Sequence, residues 1–123
     1  MAIAKSGDAD GAHAKWTELF SSADFAAYRP EDQRQALKLL ILKQVGTPSA
    51  SLVETYRVAI APLTALVAAS ADPQDYEMLG LCQFRTGDHE TAATSFRAGL
   101  DRERAVSPES DLCGRLMKHL SAT

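Results

Sequence analysis

Apolar positions recur at helical spacing along nearly the whole chain, and no run of apolar-polar alternation of four or more residues stands outside that pattern. Glycine, proline and capping residues divide the pattern into six predicted helices. The first runs from about Asp8 to Ser22, with Asp8 as its cap and Ala12, Trp16, Leu19 and Phe20 in phase. Residues Ala23 to Arg29 read as a connector carrying Phe25 and Tyr28. The second helix starts at Pro30, with Glu31 and Asp32 in its first turn, and ends near Gly46. Its apolar residues, from Leu37 through Leu39, Leu40, Ile41 and Leu42 to Val45, cover most of the circumference. Such a helix is buried between neighbours or offers one face to a partner.

The third helix is expected to open at Thr47-Pro48 and to carry one stripe from Leu52 and Tyr56 through Ala59, Leu63 and Leu66. Pro62 lies inside it and removes the hydrogen bond to the Val58 carbonyl, so a kink is predicted within a single helix. Asp72-Pro73 opens the fourth helix, which stops at Gly87; Asp88 caps the fifth, which reaches about Ala105. Ser107-Pro108-Glu109 is read as the start of the sixth, whose stripe is Leu112, Leu116 and Leu120. A cap, a first-turn proline and an early carboxylate thus recur as one local signal.

Gly7-Asp8, Gly46-Thr47 and Gly87-Asp88 each pair a glycine with a capping residue, at intervals of about 40 residues. Helix pairs repeated at such a period cannot bury their apolar faces alone and stack into an array. Residues 73 to 106 hold the clearest unit, which resembles a tetratricopeptide repeat. Tyr76 stands in the early aromatic position, Leu79-Gly80 in the Leu-Gly pair, and Phe84 in the late aromatic position. Gly87-Asp88 makes the turn, Ala92 is the small residue at the helix crossing, Phe96 follows one turn later, and Gly99-Leu100 replaces Ala-Leu. The closing proline is absent, since Arg104 stands there. Residues 1 to 22 look like half of another repeat, 30 to 71 like a degenerate helix pair, and 108 to 121 like a capping helix. The resemblance implies an all-α fold: a short right-handed α-solenoid of antiparallel helix pairs in a single domain.

Composition narrows the function. The 123 residues carry a net charge of -3 with acids and bases interleaved, so no clustered basic face calls for nucleic acid. Arg102 with Arg104 and Arg115 with Lys118 read as solvated helix faces beside acids. The longest apolar stretch, Val58 to Ala69, is interrupted and too short to span a bilayer, and the start has no apolar leader core. Cys82 and Cys113 read as small buried hydrophobes in a reducing compartment, and a cytoplasmic location is expected.

No chemistry-bearing constellation emerges. His13, His89 and His119 share no metal-ligand spacing with one another or with a cysteine, and no phosphate-binding glycine loop is present. The expectation is a non-enzymatic protein without cofactor or metal. In arrays of the resembled family, the first helices of each pair line a concave face. On that analogy, Glu77, Leu81, Phe84 and Arg85 of the fourth helix and Leu37, Ile41, Gln44 and Val45 of the second would form an apolar groove. Such a groove suits an amphipathic helix or peptide from a partner protein. The competing reading makes Leu37, Ile41 and Leu81 core residues, covered by the connector or the terminal helix. Family members that grip chaperone tails use two asparagines in a carboxylate clamp; this chain has no asparagine. An adaptor or scaffold is the leading expectation. Its alternatives are a homodimer covering Ala12, Trp16 and Phe20, a small secretion-type chaperone, and a piece of a longer array.

Overall fold

Side-chain caps decide where the helices begin. The computed structural model of the chain describes residues 2–42 and 48–123, and among these it forms seven helices and no strand. Ser22 accepts a hydrogen bond from the Phe25 amide and opens α2 (Ala23–Ala27), directly after α1 (Ala2–Ser21). Pro30 begins α3 (Pro30–Ile41). Ser49 accepts from the Leu52 amide at 3.2 Å to open α4 (Ala50–Ser70). Asp72 and Asp88 cap α5 (Pro73–Arg85) and α6 (His89–Val106) in the same way. Ser110, accepting from the Cys113 amide, starts α7 (Asp111–Ala122). Each such cap satisfies an amide that the first helical turn leaves without a partner.

Four expectations change. Gly7 and Asp8 lie within α1, which is continuous from Ala2, so they form no turn between helices. The connector holding Phe25 is itself a short helix, because Ser22 is an effective cap. The third predicted helix starts at Ser49 rather than Thr47, and Thr47 and Gly46 lie outside the described residues. The last helix starts at Ser110: Ser107 closes α6, and the Ser110 amide donates to its carbonyl across the turn holding Pro108 and Glu109. Ser110 wins because its hydroxyl serves two ends, capping α7 and donating to the Glu103 carboxylate at 2.6 Å.

The turn between α5 and α6 follows from Gly87, whose φ of +97° favours a residue without Cβ. Its amide donates to Phe84 and the next amide, of Asp88, to Gln83, the paired bonds of a Schellman ending. Ala71 ends α4 in the same left-handed region, at φ 55°, where a Cβ is strained.

The helices pack mainly on their chain neighbours: α4 on α5, α5 on α6, α6 on α7. The exception is α1, which lies along α4, while α3 contacts both α5 and α4. The α5–α6 crossing is close. A Cβ on Gly80 would stand 2.5 Å from the Phe96 ring, and one on Gly99 2.8 Å from the Tyr76 Cβ. Ala92, Phe96 and Leu100 fill the space around these glycines. Arg34 of α3 forms a bidentate pair with the buried Asp75 of α5, at 2.7 Å for both bonds. This fixes α3 on α5 more firmly than α3's short apolar face would alone.

At the other end α1 meets α4 through polar contacts as well as apolar ones. The Thr17 and Thr55 hydroxyls are 2.8 Å apart, and Thr55 also reaches the His13 carbonyl. Phe20 is buried, with Trp16 stacked on one side at 5.4 Å and Phe25 edge-on at 5.2 Å. The cover expected of a second copy is thus supplied to Phe20 by α2 of the same chain, while Ala12 stays exposed.

Taken whole, α4 is long and apolar enough to cross a membrane, which the stretch Val58 to Ala69 alone is not. Here Leu52, Tyr56, Ala59, Leu63 and Leu66 are buried, and α4 runs unbroken through Pro62 as one helix.

Candidate partner-binding site

Of the eight residues expected to line a groove, the structure brings three together: Glu77, Leu81 and Arg85, one turn apart along α5. Leu37 and Ile41 are fully buried in the core and line no open surface. The Arg34–Asp75 pair and the packing of α3 on α5 turn that stripe inward, leaving Leu39 and Leu42 outside. Phe84 is not among the residues lining the groove and stacks on His89 at 4.4 Å. Gln44 and Val45 lie outside the described residues.

The second wall comes from α7. Arg115, Lys118, His119 and Ala122 recur at three- and four-residue spacing and so share one face. They meet α5 and Leu42 of α3 across a half-open groove of about 690 Å³. Leu112, Cys113 and Leu116, on the adjoining face of α7, are buried and hold the helix in place.

Glu77 is the hinge point of the two walls. Its carboxylate is buried and accepts two bonds from Arg115, at 2.9 and 3.2 Å, and one from His119 Nε2 at 3.0 Å. Burial alone would raise the Glu77 carboxyl, but the hydrogen bonds from His119 and Arg115 outweigh it and hold it below the ordinary value of 4.5. In turn the Glu77 carboxylate raises the Arg115 guanidinium. The His119 ring also leans on Phe96 at 4.9 Å, which links the groove wall to the α5–α6 crossing.

Arg85 is held differently. Its Nη1 donates to the Ile41 carbonyl at 2.7 Å, and its guanidinium lies 5.0 Å above the Tyr56 ring. Neither partner is a carboxylate. Among the described residues Arg85 forms no ion pair, and neither does Lys118. The groove therefore keeps positive charge in excess: Glu77 balances Arg115, while Arg85 and Lys118 stay uncompensated. The apolar surface between them comes from Leu81, Leu42 and Ala122.

Elsewhere the chemistry is sparse. Among the described residues, no three His, Cys, Asp or Glu side chains come together to hold a metal. Cys82 and Cys113 are free and buried, and burial pushes the Cys82 thiol up to about 12, which keeps it protonated. His13 Nδ1 sits 2.8 Å from the Ser51 hydroxyl between α1 and α4.

Comparison with family models, with curated proteins and with solved structures finds no match to this chain. The residues of α7 are the part of the site that sequence alone does not reveal, since exposed charges there suit a solvated cap. Their common spacing was visible; that Glu77, 38 residues upstream, binds Arg115 was not.

Proposed function

We propose that the protein is a non-enzymatic interaction module that seats a segment of a partner protein in the groove between α5 and α7. The observation that carries the reading is the groove itself: solvent-open, with apolar surface beside two cations that have no carboxylate of their own. Arg85 is partly buried and has no carboxylate to offset it, a cost that a partner's carboxylate would relieve, and the apolar surface beside it adds binding energy for a peptide. In this reading the helices form a short right-handed solenoid of the tetratricopeptide type. The α5–α6 unit is its complete repeat, α7 its closing helix, and α3, α5 and α7 its concave side. The Gly80–Phe96 and Gly99–Tyr76 crossings support it, because small residues at those places permit the close packing on which such repeats depend. A cytoplasmic setting fits the two free cysteines.

Affinity capture with quantitative mass spectrometry tests the reading, with wild type beside Leu42→Glu. Leu42 is 41% exposed, so the substitution alters the groove and spares the core, unlike any change at Ile41. A prey retained by wild type and lost by the variant supports the groove. A prey recovered equally by both moves the site to another face.

A further inference from the structure

Resting on the groove reading above, we infer that the partner segment is an acidic amphipathic helix, whose Asp or Glu side chain pairs with Arg85 or Lys118 while an apolar side chain one turn away packs on the apolar surface of Leu81 and Leu42. Charge is the first reason. The chain as a whole is at -3, yet the residues lining this groove include Arg85, Arg115 and Lys118 and one carboxylate, Glu77. Glu77 already accepts three hydrogen bonds from Arg115 and His119, and among the described residues it pairs with neither Arg85 nor Lys118. Arg85 is also anchored by the Ile41 carbonyl and the Tyr56 ring, so its position is set before any partner arrives. A guanidinium held in place loses less freedom on pairing with a carboxylate.

Spacing is the second reason. Leu81 and Arg85 are four residues apart on α5, and Lys118 and Ala122 are four apart on α7. Each wall therefore presents a cation and an apolar position one helical turn apart. A docked helix with an acid and a leucine at the same interval matches either wall. The apolar patch beside the cations disfavours a nucleic-acid backbone, which presents phosphates and no aliphatic side chain. A side-chain carboxylate, carried inside a chain, is the chemistry this arrangement recognises.

Peptides of about 15 residues, immobilised through their carboxyl ends so that no terminal carboxylate is present, provide the probe. Glu and Leu are placed four apart on a helical alanine-rich host, with matched Gln and Lys versions, and soluble amidated copies give affinities by fluorescence anisotropy. The expected result is Glu-peptide binding that falls about tenfold for the Gln version, falls further for the Lys version, and weakens as salt screens the pair. Lys118→Glu, on an exposed side chain, should weaken the Glu peptide about tenfold and strengthen the Lys peptide. Equal binding of the Glu, Gln and Lys versions, lost in Leu42→Glu, would overturn the acidic partner and leave the groove reading standing. Binding of no peptide in a Leu42-dependent way would overturn both. A labelled single-stranded oligonucleotide that binds wild type but not Lys118→Glu would replace the peptide with a nucleic acid.

Discussion

Replacing Gly80 by alanine tests the closest contact in the structure. A Cβ added there would lie 2.5, 2.6 and 2.9 Å from three carbons of the Phe96 ring, where carbon atoms normally rest about 3.5 to 4.0 Å apart. The ring must retreat by about 1 Å to restore that spacing. It has little room to do so, being 1% exposed with the His119 ring against it at 4.9 Å. Overpacking of this kind costs about 1–3 kcal/mol. Alanine's helix propensity returns about 1 kcal/mol, so the net loss should be about 0–2 kcal/mol. Gly114→Ala is the control: it too is inside a helix, but nothing lies within 4 Å of its added Cβ. It should gain up to about 1 kcal/mol. Urea unfolding followed by far-ultraviolet circular dichroism, at unchanged slope, measures both. Phe96→Leu in the Gly80→Ala background should cost less than the two separate losses combined, because the clash is shared. Gly80→Ala gaining as much stability as Gly114→Ala would refute the close α5–α6 crossing.

Three further outcomes follow from the same structure. Ala71→Gly should stabilise the fold by about 1 kcal/mol in urea titration, because φ 55° strains a residue with a Cβ. The Glu77 carboxyl is held below its ordinary value of 4.5, so its contribution to stability is present above that pH and is lost as the pH falls through the lower folded-state value. Glu77→Gln should therefore lower stability at neutral pH and flatten the acid limb of a stability-pH profile, and an unchanged limb would contradict the Arg115–Glu77–His119 arrangement. Cys82, buried and pushed up to about 12, should resist iodoacetamide in the native protein at pH 8 and react once unfolded; rapid native labelling would contradict its burial.

What sequence reading recovered depended on how local each cause was. The α5–α6 unit was legible because Asp72-Pro73, Gly87-Asp88 and the small residues Gly80, Ala92 and Gly99 carry their reasons within a few positions. Helix starts went astray where two capping residues compete: Ser107 and Ser110 look alike in sequence, and the Glu103 carboxylate decides between them. Gly7 misled differently, since a glycine followed by an acid resembles a turn but is tolerated inside α1, among alanines. The groove was half legible. Glu77, Leu81 and Arg85 follow from helical spacing on α5, but the roll of α3 does not. That roll is set by Arg34 reaching Asp75, 41 residues away, and it buries Leu37 and Ile41 while turning Leu39 out to 71% exposure. The second wall, on α7, required a long-range pair that periodicity does not encode.

Site-specific photocrosslinking in cells tests the groove most directly. A benzophenone side chain in place of Ala122, at the groove, is compared with one in place of Arg97, exposed on α6. The account predicts a discrete crosslinked partner from position 122, absent from position 97, and lost when Leu42→Glu or Lys118→Glu is added. Crosslinking from position 97 alone, or a product from position 122 that neither substitution diminishes, would contradict it.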